Sequence, residues 1–338
     1  MKIAILSPIA WRTPPVKYGP WEQVASNIAE GLIDKKIDVT LFATANSITR
    51  GKLQYVSKEA YNENPDIDPK VWECLHISNL MEQADKFDLI HNHFDFLPLT
   101  YTGLIKTPMV TTIHGFSSPK ILPVYKIYNR NNFYVSISNS DRCLDLEYVA
   151  TVYNGIDTNG FTFKKKPKDY LLFFGRIHPE KGTYESIQIA KQSGRKLIIS
   201  GLIQHKEYFD SKVKPFINDD DIVYVGNSGP RERDKLLGEA YALLHPVSFE
   251  EPFGLSVAEA MMCGTPVIAF NLGSMPELIL NGETGFLVNT TEEAADAVAN
   301  IKSIDRKYCR EFAVSKFSRQ KMVESYLEVY KKILETKK

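Results

Sequence analysis

Short apolar runs alternate with segments of helical periodicity along the chain. Ile3–Ser7 reads as a buried strand. A loop carrying Pro8, Pro14, Pro15 and Pro20 follows, after which Trp21, Val24, Ala25, Ile28 and Leu32 fall at helical spacing. Val39–Ala43, Leu89–His93, Val110–His114 and Phe133–Ile137 continue the series of strands. Strand, crossover helix and strand in repetition predict a parallel sheet with helices on both faces.

Near residue 157 the pattern breaks. Asp157-Thr158-Asn159-Gly160 is turn-rich, and Lys164-Lys165-Lys166-Pro167-Lys168 reads as a charged link. A second series then starts with Leu171–Phe174 and a helix from Gly182 through Ile187 and Ala190. Leu197–Ser200, Ile222–Val225, Ala242–His245 and Val267–Phe270 are its further strands. The expectation is two α/β domains, residues 1–158 and 159–317, each the size of one doubly wound unit. Phe317–Lys338 reads as a single amphipathic helix with Met322, Tyr326, Val329, Tyr330 and Ile333 on one face.

Composition narrows the function. The 338 residues are 43% hydrophobic and 24% charged, too apolar for a disordered chain. Lys plus Arg and Asp plus Glu both number 41, so the large basic excess of a nucleic-acid binder is missing. No apolar run reaches the roughly 18 residues of a membrane span. The apolar start is broken by prolines and reads as a strand rather than a signal peptide. Cys74, Cys143, Cys263 and Cys309 form no C-x-x-C motif, and reduced thiols in a cytoplasmic protein are expected.

Ligands of doubly wound sheets bind beyond the carboxyl ends of strands, and the informative residues follow strands. In His245–Val267, a strand leads into a loop with Glu250, Glu251 and a Pro-Phe-Gly turn, and a helix runs from near Gly254 to before Gly264. The first amides of a helix point outward with the positive end of its dipole, and Gly254 lets a phosphate approach them. Glu251 and Glu259 are separated by roughly 80° of helical rotation and about 12 Å of rise. They therefore suit hydroxyls on separate parts of one long ligand; a loop acid and a surface helix acid is the plain alternative. Gly175–Gly182 is a second strand-to-helix turn, in which Arg176 offers a planar fork and Lys181 a point charge to phosphate oxygens. It lacks the P-loop pattern, and a basic surface loop paired with Glu180 is its plain alternative.

Other constellations are weaker. His91, His93 and Asp95 alternate on a strand end, where acceptor lining and a structural role are weighed above metal binding. Asp66-Ile67-Asp68 lies between prolines and reads as a loop or helix cap rather than a metal–diphosphate motif.

Taken together, Gly175–Gly182, the Glu251 to Glu259 spacing, Asn154-Gly155-Ile156-Asp157, Met275–Leu278 and Gly282–Val288 occur in an order that resembles retaining glycosyltransferases of family 4. The resemblance spans nearly the whole chain. It implies the GT-B architecture: two doubly wound Rossmann-like domains facing across a cleft, with the C-terminal helix, residues 318–338, returning to the first. It implies a hexosyltransferase that takes a nucleoside-diphosphate sugar, with no cofactor and no metal. Arg176 and Lys181 would bind the diphosphate, Glu251 with Phe253, Gly254 and Leu255 the sugar and phosphate, and Glu259 the ribose. Gly19 would admit phosphate from the first domain; where the family has Gly-Gly this chain has Gly19-Pro20, and Pro20 has no N–H to donate. His114 would lie beside the donor sugar. Ser138 and Arg142 match an S-x-S-x-x-x-R element with a structural or acceptor-side role. A nucleotide-sugar epimerase of the same architecture and a non-catalytic sugar-nucleotide-binding protein are the alternatives. The acceptor would be a sugar or a lipid-linked molecule. Lys331, Lys332, Lys337 and Lys338 read as a solvated helix end, with peripheral contact to an anionic membrane as the alternative.

Overall fold

The computed structural model describes residues 1–116 and 118–336. Two of the four terminal lysines, Lys337 and Lys338, lie outside that range. The chain divides into two units, Met1–Gly155 with the chain from Arg319 onward, and Ile156–Ser318.

Among the described residues the first unit has seven strands: β1 (Lys2–Leu6), β2 (Asp38–Phe42), β3 (Lys52–Gln54), β4 (Leu89–Asn92), β5 (Met109–Ile113), β6 (Phe133–Ser136) and β7 (Tyr148–Thr151). All pairings are parallel, in the order β3-β2-β1-β4-β5-β6-β7. β1, β4 and β5 are buried on both faces, as in a parallel sheet covered by helices on both sides. Ala4, Leu6, Phe42, Ile90 and Met109 belong to one core cluster.

Helix α1 (Pro20–Asp34) begins with proline at its first position, where the missing N–H costs nothing. Helix α2 (Pro69–Met81) is capped by Asp68, which accepts from the Val71 amide. Asp66-Ile67-Asp68 is thus a helix cap, as its setting suggests. Helix α3 (Leu122–Tyr128) is short. The C-terminal helix Arg319–Thr336 buries Met322, Val323, Tyr326, Val329, Tyr330 and Ile333 in this unit. It does not continue from Phe317 as the apolar pattern predicts. Ser318 is extended (φ −71°, ψ 149°), and Phe317 packs with Phe253 and Phe312 in the second unit.

The second unit has six strands: β8 (Tyr170–Phe174), β9 (Lys196–Ser200), β10 (Ile222–Tyr224), β11 (Ala242–His245), β12 (Val267–Phe270) and β13 (Gly285–Val288). Their order is β10-β9-β8-β11-β12-β13, again all parallel. The helices are α4 (Thr183–Ser193), α5 (Lys206–Tyr208), α6 (Pro230–Glu239), α7 (Leu255–Met262), α8 (Met275–Leu278), α9 (Thr291–Asn300) and α10 (Arg306–Phe317).

In each sheet the strand order reverses beside the first strand, at β1/β4 and at β8/β11. That reversal leaves a crevice outside the carboxyl ends of the strands. The loops after β1, β8 and β11 are those that carry Gly19, Arg176 with Lys181, and Glu251. Both units are therefore Rossmann-like domains.

Candidate active site

In the second unit, the loops after β8 and β11 are joined to one another. The Ser248 amide donates to the Glu180 carbonyl at 2.9 Å. Gly182 adopts a left-handed conformation (φ 75°), and a side chain there would strike the Pro246 carbonyl. A third loop fixes the second, since Ser274 donates from its amide to the Glu251 carbonyl at 3.0 Å and from its hydroxyl to the Phe253 carbonyl at 2.8 Å.

This lacing brings Lys181 and Glu251, 70 positions apart, into a direct ion pair. The two side chains are 15% and 12% exposed, so the pair is shielded yet still reachable. Lys181 Nζ also lies 4.5 Å from the centroid of the Phe249 ring. Buried His245, at the end of β11, sits with Nε2 3.8 Å from the same Glu251 oxygen and has no hydrogen-bond partner there among the described residues. Burial, aided by the Lys181 charge and opposed by Glu251, lowers the His245 pKa to about 4.

Arg176 is engaged as well. Its guanidinium donates to Gln204 and lies 3.5 Å from Glu180. Gln204 is in reach because the backbone stays paired beyond β8 and β9: Ile177 donates to the Leu202 carbonyl at 2.8 Å, and His205 to the Ile177 carbonyl at 3.1 Å. The basic-loop alternative is thus partly right, as Glu180 does pair with Arg176.

Gly254 opens α7 in a left-handed conformation (φ 85°). The first backbone bond returning to the helix runs from Val257 to the Gly254 carbonyl at 3.0 Å. Ahead of it, the amides of Leu255 and Ser256 have no backbone acceptor among the described residues, as expected of a first turn. Phe253 is buried beneath the turn and Leu255 half-buried. Glu259 is not a surface acid. It is 5% exposed and lies 3.2 Å from Arg233 of α6. Burial raises its pKa and Arg233 opposes the rise.

In the first unit, Gly19 caps α1 with φ 149°, and a side chain there would lie 2.8 Å from Pro15 and 3.1 Å from Trp11. Behind it Glu22 accepts from the Trp11 amide at 3.1 Å, and burial raises its pKa to about 7. His114 follows β5, half-buried, with Trp21 stacked on it at 5.5 Å. Its Nε2 lies 2.9 Å from His93 Nδ1. His91 is held at both nitrogens, by the Tyr330 and Thr112 hydroxyls at 2.7 Å each. Asp95, in a left-handed conformation (φ 75°), accepts from the Tyr125 hydroxyl. His91, His93 and Asp95 thus point to other partners, and among the described residues no group of three or more His, Cys, Asp or Glu side chains could hold a metal ion. Ser138 and Arg142 sit in local structure. Ser138 accepts from the Asp141 amide, and Arg142 donates to Ser136 and covers the Tyr148 ring.

Two family models divide the chain: one described as Glycosyltransferase Family 4 matches residues 21–159, and one described as Glycosyl transferases group 1 matches residues 157–316. The chain belongs to the GT-B glycosyltransferases and resembles their family 4. This glycosyltransferase is 30% identical over 295 residues to an uncharacterized 41.2 kDa protein in the cps region of Klebsiella pneumoniae, covering 73% of this chain and 79% of that one. It is 28% identical over 166 residues to the O-antigen chain mannosyltransferase RfbU of Salmonella typhimurium, covering 48% and 46% of the two chains. Its fold matches that of HepE from Anabaena, solved in complex with UDP-glucose, with a TM-score of 0.75 at 19% identity, over 98% of this chain and all of that one.

The sequence does not single out His245, Arg233 or Glu22 as binding or catalytic residues, whereas Gln204 falls in the loop 203–205, a candidate for base contacts, and His93 is weighed with His91 for acceptor lining.

Proposed function

We propose that this glycosyltransferase is a retaining hexosyltransferase that moves a sugar from a nucleoside diphosphate to a hydroxyl of a glycan, glycolipid or small molecule, without a metal. The observation that carries the reading is the union, in the second unit, of the Lys181–Glu251 pair, Arg176 and the glycine-opened start of α7. Such an arrangement suits a diphosphate leaving group, whose growing charge would meet preorganised cations and amides. The names of the relatives support a sugar donor, and the UDP-glucose held by a protein of like fold supports a nucleotide-linked one.

On this reading Arg176 and Lys181 bind the diphosphate. Glu251 and the Phe253-Gly254-Leu255 backbone hold sugar hydroxyls and phosphate, and Glu259 takes the ribose hydroxyls. His114 and the Gly19 loop serve the transferred sugar and its phosphate. The acceptor oxygen bonds to the anomeric carbon as the bond from that carbon to the phosphate oxygen breaks. Attack comes on the same face, and the leaving phosphate takes the acceptor's proton. The basic groups do the charge neutralisation that a metal would otherwise supply. Among the described residues no helix is long and apolar enough to cross a membrane, which fits a cytoplasmic enzyme with at most peripheral membrane contact.

Thermal-shift ranking of nucleoside diphosphates and their sugars tests the donor class, since a ligand of the folded state raises its melting temperature. Product analysis then follows with the best donor. Conversion of the donor without an acceptor would indicate an epimerase, and binding without turnover on an acceptor panel a binding protein. Transfer should survive chelator; loss restored by a divalent ion would refute metal independence.

A further inference from the structure

The first unit contains a row of three histidines whose arrangement goes beyond the role given to His114. The rings of His91 and His93 lie 4.1 Å apart by centroid, and those of His93 and His114 5.2 Å. His91 is bonded at both nitrogens. His93 is not. Its Nδ1 meets His114 Nε2 at 2.9 Å, while its Nε2 is sealed from solvent and has no partner among the described residues.

A neutral imidazole carries one N–H and one bare nitrogen, so this contact has two forms. In one, His93 donates from Nδ1 and His114 accepts at Nε2. In the other, His114 donates from Nε2 and His93 accepts at Nδ1. The second form places the His93 proton on Nε2, where a buried N–H would have no acceptor. An orphaned buried donor is a costly defect, and a bare lone pair in the same place is a smaller one. A doubly protonated His93 would again leave an orphaned N–H at Nε2, and burial, with the neighbouring His91 and His114, pushes its pKa well below the usual histidine range.

We propose that His93 is a positioning residue that fixes the tautomer of His114: His93 donates from Nδ1, so His114 accepts at Nε2, carries its own proton on Nδ1, and meets its ligand as a neutral hydrogen-bond donor. The ligand this implies is an oxygen acceptor, which a sugar hydroxyl provides; that last step rests on the transfer function proposed above. Trp21, stacked on the His114 ring, holds the ring plane while His93 sets the proton.

The test is two-bond ¹H–¹⁵N correlation on the full-length protein labelled at its seven histidines. His93→Asn and His114→Asn assign the two signals. The wild type should show both His93 and His114 protonated at Nδ1, by at least about tenfold over the other tautomer, or about 1.4 kcal/mol. His93→Asn keeps a donor near the Nδ1 position and should leave His114 protonated at Nδ1, with kcat/KM within about threefold. His93→Leu removes the donor, so His114 should become a mixture of tautomers and kcat/KM should fall about tenfold. A wild-type His114 protonated at Nε2 would overturn the proposal whether or not the leucine variant folds. So would a folded His93→Leu with an unchanged His114 tautomer. The spectrum is read without donor, so absence of sugar transfer would count against the function and leave the tautomer assignment standing.

Discussion

Replacing Lys181 by Met removes one charge and retains an apolar stem against Phe249. A unit charge about 4 Å from a phosphate oxygen is worth about 4 kcal/mol at the effective dielectric of a protein surface. Glu251 already engages that charge in the free protein, so the net contribution to a departing diphosphate is smaller. Loss of one preorganised electrostatic contact costs about 3–4 kcal/mol, or 10²–10³ in kcat. The expected outcome is a loss of that size in single-turnover transfer, with weaker binding of nucleoside diphosphate by calorimetry. Glu251→Gln in the same background should add little, because the two side chains act as one unit.

An independent readout is His245. Lys181 lowers its pKa and Glu251 raises it, so in Lys181→Met the histidine should titrate above its present value of about 4. NMR titration measures that directly. A kcat within about tenfold of wild type, with nucleotide affinity unchanged, would refute the assignment of Lys181 to the leaving group. A His245 pKa that stays put or falls would refute the electrostatic account of the loop.

Three further outcomes follow from the packing. Gly182→Ala forces a side chain into the Pro246 carbonyl at a left-handed position; it should cost about 1–3 kcal/mol in denaturant unfolding and weaken nucleotide binding, and wild-type behaviour would show that the two loops are not in register there. Tyr330→Phe removes the hydroxyl bonded to His91 Nδ1 in a sealed setting and should cost about 1–3 kcal/mol by the same measurement; a change below about 0.5 kcal/mol would mean that the bond is not made. Glu22→Gln tests the buried carboxyl: its pKa rises from the ordinary 4.5 to about 7, so the folded state keeps a proton that the unfolded state releases, and this contribution is lost as pH rises through 7. The glutamine variant should therefore gain on wild type between pH 5 and pH 8, up to a ceiling of about 3 kcal/mol, and an equal melting-temperature difference at both pH values would refute it.

β1, β2, β4, β5, β6, β8, β9, β10, β11 and β12 are legible in the sequence as short runs of mostly buried residues, as expected of a parallel sheet with helices on both sides. The edge strands β3 and β7 leave a weaker trace: β3 is Lys-Leu-Gln, and β7 is half-buried throughout. Helices α6 and α10 are mostly polar and bury few residues, so no apolar stripe announces them. The end of α10 misleads for the opposite reason. Phe317 extends the apolar periodicity of the helix that follows, while its ring is claimed by Phe253 and Phe312. Site residues follow the same division. Arg176, Lys181, Glu251 and Glu259 stand in spaced motifs, whereas Arg233 and Gln204 stand in segments of ordinary composition. Only the sheet order, by placing α6 beside α7 and β9 beside β8, brings them into contact with Glu259 and Arg176.

Those partners change the meaning of the chain's balanced charge. Each cation of the second unit's site has an acid in reach: Lys181 has Glu251, Arg176 has Glu180, and Arg233 has Glu259. The free site is therefore near neutral, and it exerts little long-range pull on anions. A phosphate gains only by contact, displacing or sharing a carboxylate with its cation. Isolated phosphate must do this without compensation. On the proposed function, a ligand that also offers hydroxyls would give the displaced Glu251 and the buried Glu259 new partners, so the carboxylates would disfavour the bare anion and favour the sugar nucleotide. The acids would then select against the bare anion as well as bind the donor, and discrimination would arise from the same pairs that hold the loops together before a ligand arrives.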